Sequence, residues 1–265
     1  MNLNNQIIIL TGGAGFLGSF FSDLICSYGG TPIIVDKNEI KSKNLSKKLS
    51  KKYNKTVPYY NIDITKEDDV INVKKDVLKN FKKIDSLVNN AALNPTADSL
   101  SLKDFTLENY SMDYFQSEFD VGLKGALICT KIFGQYFSTV KKGNIINISS
   151  DLGLIAPNQS IYNSGKNKTN VKPVSYSIIK SGLIGLTKYT STYWSDKNIR
   201  CNAIAPGGVL NNQNKEFINK VSKLIPLGRL ADKIEVGNML IFLLSNLSSY
   251  INGTTISVDG GRTAW

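Results

Sequence analysis

The sequence predicts an α/β fold, a single doubly wound parallel sheet of about seven strands with helices on both faces. Two observations carry this. Short apolar runs rich in β-branched residues alternate with longer helical patterns: Gln6–Leu10, Pro32–Val35, Pro58–Ile62 and Ile84–Val88 each precede a helix-like segment. The chain of 265 residues is also long enough to close one large core.

The first element, Gln6–Leu10, reads as a fully buried strand. It runs into Thr11-Gly12-Gly13-Ala14-Gly15-Phe16-Leu17-Gly18, which contains Gly13-x-Gly15-x-x-Gly18 and opens a helix through Phe20, Phe21, Leu24 and Ile25. Glycines there let the backbone turn tightly and approach a pyrophosphate, whose charge sits at the helix N-terminus. The second strand, Pro32–Val35, ends in Asp36, eighteen positions beyond Gly18, where a ribose-binding carboxylate is expected. A Gly-rich turn and a strand-terminal Asp also occur for structural reasons alone, but their order here predicts a Rossmann-type NAD-binding domain over residues 1–265, with C-terminal substrate-binding elements. Asp36 would accept from the ribose hydroxyls and repel a 2′-phosphate, so NAD is expected over NADP. Lys37 is a neighbouring cation that could soften that repulsion.

Lys41 to Lys55, spaced through Leu45 and Leu49, reads as an exposed helix with a solvated basic face. The third strand ends at Asp63 and is followed by a helix from Lys66 to Asn80. The fourth runs into Asn89-Asn90-Ala91-Ala92. Asp63 and Asn90 fall at strand C-terminal ends, where such sheets bind ligands. Asp63 could reach an adenine edge, and small Ala91-Ala92 leaves room for a cofactor.

Two Tyr-x-x-x-Lys pairs compete for acid–base chemistry. Positions i and i+4 share a helix face, so an ammonium beside a phenol would favour the phenolate. Tyr162 and Lys166 enclose Asn163, Ser164 and Gly165 and run towards Pro173, which is loop chemistry. Tyr176 and Lys180 open a long apolar-periodic segment, Val174 to about Ser195. That pair is expected to be the helical one.

Composition excludes other chemistries. There is no histidine, which removes Ser-His-Asp hydrolysis and His-ligated zinc, and no metal site is expected. Cys26, Cys129 and Cys201 lack C-x-x-C spacing and read as buried residues in a reducing cytoplasm. No leader or membrane-length apolar run is evident. The net charge of +11 comes almost wholly from lysine. No aromatic stacking platform accompanies it, so nucleic acid is not an expected partner; attraction of anionic small molecules is.

Together with Asn144–Ser150, Ile199–Gly207, Pro226–Arg229 and Ile251–Gly261, these motifs resemble the short-chain dehydrogenase/reductase family in its compact branch, across essentially the whole chain. The resemblance implies that Ser150 hydrogen-bonds the substrate oxygen, Tyr176 is the general acid/base, and Lys180 lowers its pKa and holds the nicotinamide ribose. Ser149, one place earlier in a period-two strand, should point to the other face. The cofactor set would be Gly12, Gly15, Phe16, Leu17, Gly18, Asp36, Asp63, Ile64, Asn90, Ala91, Ala92, Tyr176, Lys180, Pro206, Gly207 and Val209. Three departures stand out. The glycine turn is spaced as in the larger sugar-nucleotide epimerase relatives. Gly122 falls where many members carry a relay asparagine, leaving water or Asp120 to replace it. An insertion, roughly 158–172, separates Ser150 from Tyr176 and reads as a specificity loop.

The combination is similar to the flagellin modification protein A-like sugar oxidoreductases. It implies an NAD-dependent oxidoreductase interconverting a secondary alcohol and ketone on a sugar or activated sugar. The alternatives are a polyol, gluconate-type or 3-oxoacyl-thioester reductase, or a catalytically idle NAD-binding subunit. Residues 211–224 are expected to form a mobile lid, with Asn211, Asn212, Gln213 and Asn214 offered to sugar hydroxyls. Excess apolar residues on Val174–Ser195 and Asp113–Gly134 predict a homotetramer, or at least a homodimer.

Overall fold

Seven parallel strands form one sheet in the computed structural model, which describes residues 1–93, 105–163 and 170–265: β1 (Ile7–Thr11), β2 (Thr31–Asp36), β3 (Tyr59–Asn61), β4 (Ser86–Asn89), β5 (Gly143–Ile148), β6 (Ile199–Pro206) and β7 (Thr255–Val258). Their order is β3-β2-β1-β4-β5-β6-β7. Every pairing is parallel. After β1 the chain adds β2 and β3 on one side, then crosses back to lay β4 on the other. The loops leaving β1 and β4 therefore diverge, and the crevice between them is the natural ligand site of such a sheet.

The central strands β1, β4, β5 and β6 are buried almost throughout because both faces are covered. Along β1 the pleat sends Ile7 and Ile9 to one face and Ile8 and Leu10 to the other. The first face packs on α3 (Glu67–Phe81) and α5 (Gly125–Val140) through Val70, Val73, Val77, Phe133 and Phe137. The second packs on α1 (Phe16–Ser27) and α8 (Lys233–Leu244) through Phe21, Ile25, Val236 and Leu240. The three cysteines are buried, and burial pushes the thiols of Cys26, Cys129 and Cys201 up to about 11, 12 and 12.

The lysine-rich segment is a helix, α2 (Glu39–Tyr53), opened by the Asn38 side chain accepting from the Lys41 amide. Only Ser42 and Leu49 are buried along it, as a solvated basic face requires. The segment expected as one helix from Asp113 to Gly134 runs further and carries a fault. It comprises α4 (Met112–Phe119), a π-turn at Asp120–Lys124, and α5 continuing to Val140. A 20-residue helix, α6 (Val174–Tyr193), follows Pro173 and leads into β6. A short α7 (Lys215–Ser222) lies after β6. Among the described residues no helix is long and apolar enough to cross a membrane.

Candidate active site

The loops after β1, β2, β4, β5 and β6 enclose one cleft of about 600 Å³. At its first end, β1 passes into the glycine turn. Gly12 takes φ +61°, and the Gly15 amide donates to the Gly12 carbonyl at 3.1 Å. A Cβ on Gly12 would stand 2.8 Å from the Ala91 backbone, so a side chain there would close the crevice. Gly18 acts differently from its expected role. It lies buried beneath the turn, where a Cβ would sit 2.0 Å from the Gly12 carbonyl oxygen, and it does not line the cleft. No side chain caps α1, so the first amides of the helix are left for an anion, and Phe16 and Leu17 line the cleft there. This chemistry fits a pyrophosphate.

Asp36 closes β2 and lines the same end. Its carboxylate accepts from the Ala14 amide at 3.0 Å and the Asn38 amide at 2.9 Å, tying the acid to the turn. Lys37 points across to Asp63 at 3.8 Å. Burial pushes the Asp63 carboxyl up, but hydrogen bonds from Thr65, with Lys37 and Lys66 nearby, outweigh it and hold the group below its usual range. Asn90 lines the cleft, but its amide donates to the Thr11 and Gly12 carbonyls at 3.0 and 3.1 Å, so it braces the turn. Ile64, Ala91, Ala92, Pro206, Gly207 and Val209 also line the cleft.

The second end holds Ser150, Tyr176 and Lys180. Ser150 follows β5; its hydroxyl donates to Asp151 at 2.8 Å and makes a hydrogen bond with the Tyr176 phenol. Ser149 points to the opposite side and donates to the Lys180 carbonyl at 2.7 Å, so its hydroxyl is engaged with α6. Lys180 is buried, and its ammonium donates to the Ile148 carbonyl at 2.8 Å. Burial, with Lys172 adding repulsion, brings Lys180 down to about 8. Burial dominates at Tyr176 and raises its phenol; the Ser150 hydrogen bond opposes the rise and Asp151 adds to it.

The rival tyrosine is a wall residue. Tyr162 ends a 3-10 turn, Gln159–Tyr162, and packs against Phe217 with ring centroids 5.7 Å apart. Burial raises its phenol. Its partner Lys166 lies outside the described residues. The segment after Pro206 and the described part of the insertion share a small core: Ile161, Val221, Ile225 and Leu230, flanked by Tyr162 and Phe217. Of the four amides expected to face substrate, two are engaged locally. Gln213 bonds the Asn211 amide and the Val209 carbonyl, and Asn214 caps α7 by accepting from Phe217. Asn211 and Gln213 both still line the cleft.

Gly122 sits in the π-turn, and a Cβ there would lie 2.8 Å from Ile179 Cγ2, so α6 fills the space a side chain would need. Asp120 does not replace the relay asparagine. It accepts from Gln116 at 2.8 Å, lies 3.3 Å from Lys124, and is absent from the cleft wall.

Sequence reasoning missed two features. Asp151 and Arg262 form a buried ion pair at 2.9 Å behind Ser150, between residues 111 positions apart. Lys172 reaches the cleft with its ammonium 3.7 Å from the Tyr176 ring centroid. A signal for Lys172 was present: it stands four places before Tyr176, as Lys180 stands four after. The pair Asp151–Arg262 has no local signature.

A family profile described as enoyl-(acyl carrier protein) reductase matches residues 17–263. A 7α-hydroxysteroid dehydrogenase of Bacteroides fragilis is 32% identical over 98% of this chain and 95% of its own. A post-translational flagellin modification protein A of Campylobacter coli is 30% identical over 98% of each chain. Among solved structures, a short chain dehydrogenase of Leptospira borgpetersenii with bound NAD+ superposes with a TM-score of 0.82 at 26% identity, covering 99% of this chain and 94% of that one.

Proposed function

This chain belongs to the short-chain dehydrogenase/reductase family, and we propose that it is an NAD-dependent oxidoreductase interconverting a secondary alcohol and a ketone on a sugar or activated sugar. The observation that carries this is one cleft whose walls hold the glycine turn and Asp36 at one end and Ser150, Tyr176 and Lys180 at the other. An idle subunit would have no need of that convergence.

NAD, when bound, supplies hydride exchange at the substrate carbon. The remaining work falls to the chain. Gly12 and Gly15, the first amides of α1 and Asp36 hold and orient the dinucleotide; Asp36 selects a ribose bearing a free 2′-hydroxyl. The Ser150 hydroxyl holds the substrate oxygen. Tyr176 gives that oxygen a proton in reduction and takes one in oxidation. Lys180, anchored on the Ile148 carbonyl, holds the ribose beside the tyrosine.

The sugar assignment rests on polar groups in the far wall, Asn211, Tyr162, Lys172 and the Asp151–Arg262 pair, set among Leu152, Ile161, Phe217 and Leu230, and on the flagellin modification relative. The test is a screen of the purified protein with NAD and NADP against neutral sugars, sugar acids, sugar phosphates and nucleotide sugars. Turnover confined to 3-oxoacyl thioesters with NADPH would replace this function with the alternative.

The assembly we propose is a homotetramer or homodimer. Leu127, Ile178, Tyr189 and Tyr193 on α5 and α6 are exposed apolar residues, while Ile179 and Leu183 on α6 face inward. Sedimentation velocity at micromolar concentration should show no 29.2 kDa monomer.

A further inference from the structure

Tyr176 lies between two lysines at four-residue spacing, and only one of them belongs to the helix. Lys180 follows on α6, its ammonium 5.7 Å from the ring centroid. Lys172 precedes Pro173, outside the helix, yet its ammonium stands closer, at 3.7 Å. The backbone of Lys172 is clasped by the far stem of the insertion. Its amide donates to Gln159 Oε1 at 2.8 Å, and Gln159 Nε2 donates to its carbonyl at 3.4 Å. The insertion thus delivers a cation onto the ring face of the tyrosine.

Other charged and titratable groups around the ring do not take this place. Asp151 is paired with Arg262. Glu118 bonds Tyr110 and Ser175, and contributes to Lys172 only through its field. Tyr162 packs against Phe217 with its ring tilted. Among the described residues neither Lys172 nor Lys180 forms an ion pair with a carboxylate. Gly122, with Ile179 packed against it, offers no polar side chain to this corner, and the π-turn contributes only the apolar Val121 to the cleft wall.

We propose that Lys172 is a positioning residue for Tyr176, a second cation whose charge over the ring favours the phenolate and so replaces support that Gly122 cannot give. A cation on an aromatic face is attracted to it, and more strongly when the ring carries negative charge. Burial raises Tyr176 and makes an additional cation effective. Burial also brings Lys172 down to about 8, against the fields of Glu118 and Asp151. A phenolate between the two lysines offsets their mutual repulsion and holds both charged, so the three groups titrate as a set.

The inference rests on Tyr176 being the acid/base, but its test needs neither substrate nor cofactor. Ultraviolet tyrosinate titration of the protein, minus that of Tyr176→Phe, isolates the Tyr176 midpoint. Lys172→Met should raise that midpoint by about one pH unit, the size of shift one nearby charge produces. Lys172→Arg, charged at every working pH, should leave it unchanged or lower it. With any active substrate, the alkaline rise of kcat/KM for oxidation should move in step. A Lys172→Met midpoint within about 0.3 units of the parent overturns the proposal, since a neighbouring charge is worth more than that; so does Lys172→Arg rising as far as Lys172→Met. Where Lys172→Met does not fold, Lys172→Gln is read by the same limits. An unmoved midpoint with lost affinity for anionic substrates would assign Lys172 to substrate contact instead. A moved midpoint in a protein inactive on every sugar would leave this inference standing and remove the sugar function.

Discussion

The two ends of the cleft are built by different means. The cofactor end is largely backbone: Gly15 on Gly12, Gly13 on Val35, and Asn90 bracing the Thr11 and Gly12 carbonyls. The substrate end is side chains from distant segments. Asp151 meets Arg262, Ile161 packs with Val221 and Leu230, and Lys220 reaches the Asn163 carbonyl. A backbone wall fits the parts common to every dinucleotide. A side-chain wall can be changed residue by residue, so substrate choice can diverge on a fixed cofactor site.

The sharpest test of that division lies at the reacting group. Tyr176→Phe should lower turnover by about a thousandfold, within the range for a lost general acid/base, while NADH affinity changes only a few-fold. Tyr162→Phe should retain most activity, because that phenol is a wall residue. Stopped assays and NADH titration check both; a dead Tyr162→Phe would reverse the choice between the two tyrosines. The direction of the Tyr176 shift adds a pH signature. A phenol raised by burial is protonated at neutral pH, so reduction should run there and fall as pH rises through the midpoint. Oxidation, which needs the phenolate, should climb over the same interval.

The buried ion pair tests the other half of the comparison. Arg262→Met leaves the buried Asp151 carboxylate without its partner and should cost about 3 kcal/mol in denaturant unfolding. Adding Asp151→Asn should recover much of that loss, since the penalty comes from an unpaired charge. Equal destabilisation in the single and double variants would mean the arginine acts through packing alone.

Ile161 joins the insertion to α7 in a core separate from those flanking the sheet. Ile161→Ala should weaken that core by about 2 kcal/mol, the lower end of such truncations. Amide exchange across Lys215–Ser222 should then quicken about thirtyfold, with β1 to β4 unchanged. A uniform rise over the whole sheet would show that the two ends open as one unit. In the parent protein, cofactor and substrate together should slow exchange in the same segment if it closes as a lid.

What was legible in the sequence follows the same division. The glycine turn, Asp36 and the Tyr176/Lys180 pair are local patterns, each contained within one strand–turn–helix or one helix. The parallel sheet covered on both faces followed from the alternation of strands and helices. The π-turn at Asp120–Lys124 was not legible, because its residues suit an ordinary helix and only Ile179 pressing on Gly122 marks the place. Asn90 lines the cleft as expected, but its brace on the Thr11 and Gly12 carbonyls was not legible, since the sequence does not say where an amide points. Lys172 fell within the expected specificity loop, but its approach to the Tyr176 ring was hidden because Pro173 interrupts the helical spacing between them. Arg262 was hidden by the 111 positions separating it from Asp151.

The smallest effect expected is at Asp36, and it separates two contributions. Its carboxylate would select the ribose, yet it also accepts from the Ala14 and Asn38 amides. Asp36→Ala removes both functions, so affinity for NADH and NADPH should fall together as the turn loosens. Asp36→Asn keeps an acceptor for one of the amides but carries no charge. It should narrow the preference for NADH by about tenfold, roughly 1.4 kcal/mol, mainly by admitting NADPH. Lys37 would then matter more, because its neighbour Asp63 at 3.8 Å would be the remaining acid facing it. Isothermal titration with both cofactors distinguishes the cases. If Asp36→Asn leaves the ratio unchanged, the preference resides in the shape of the backbone turn, and even cofactor choice belongs to the wall that side chains do not build.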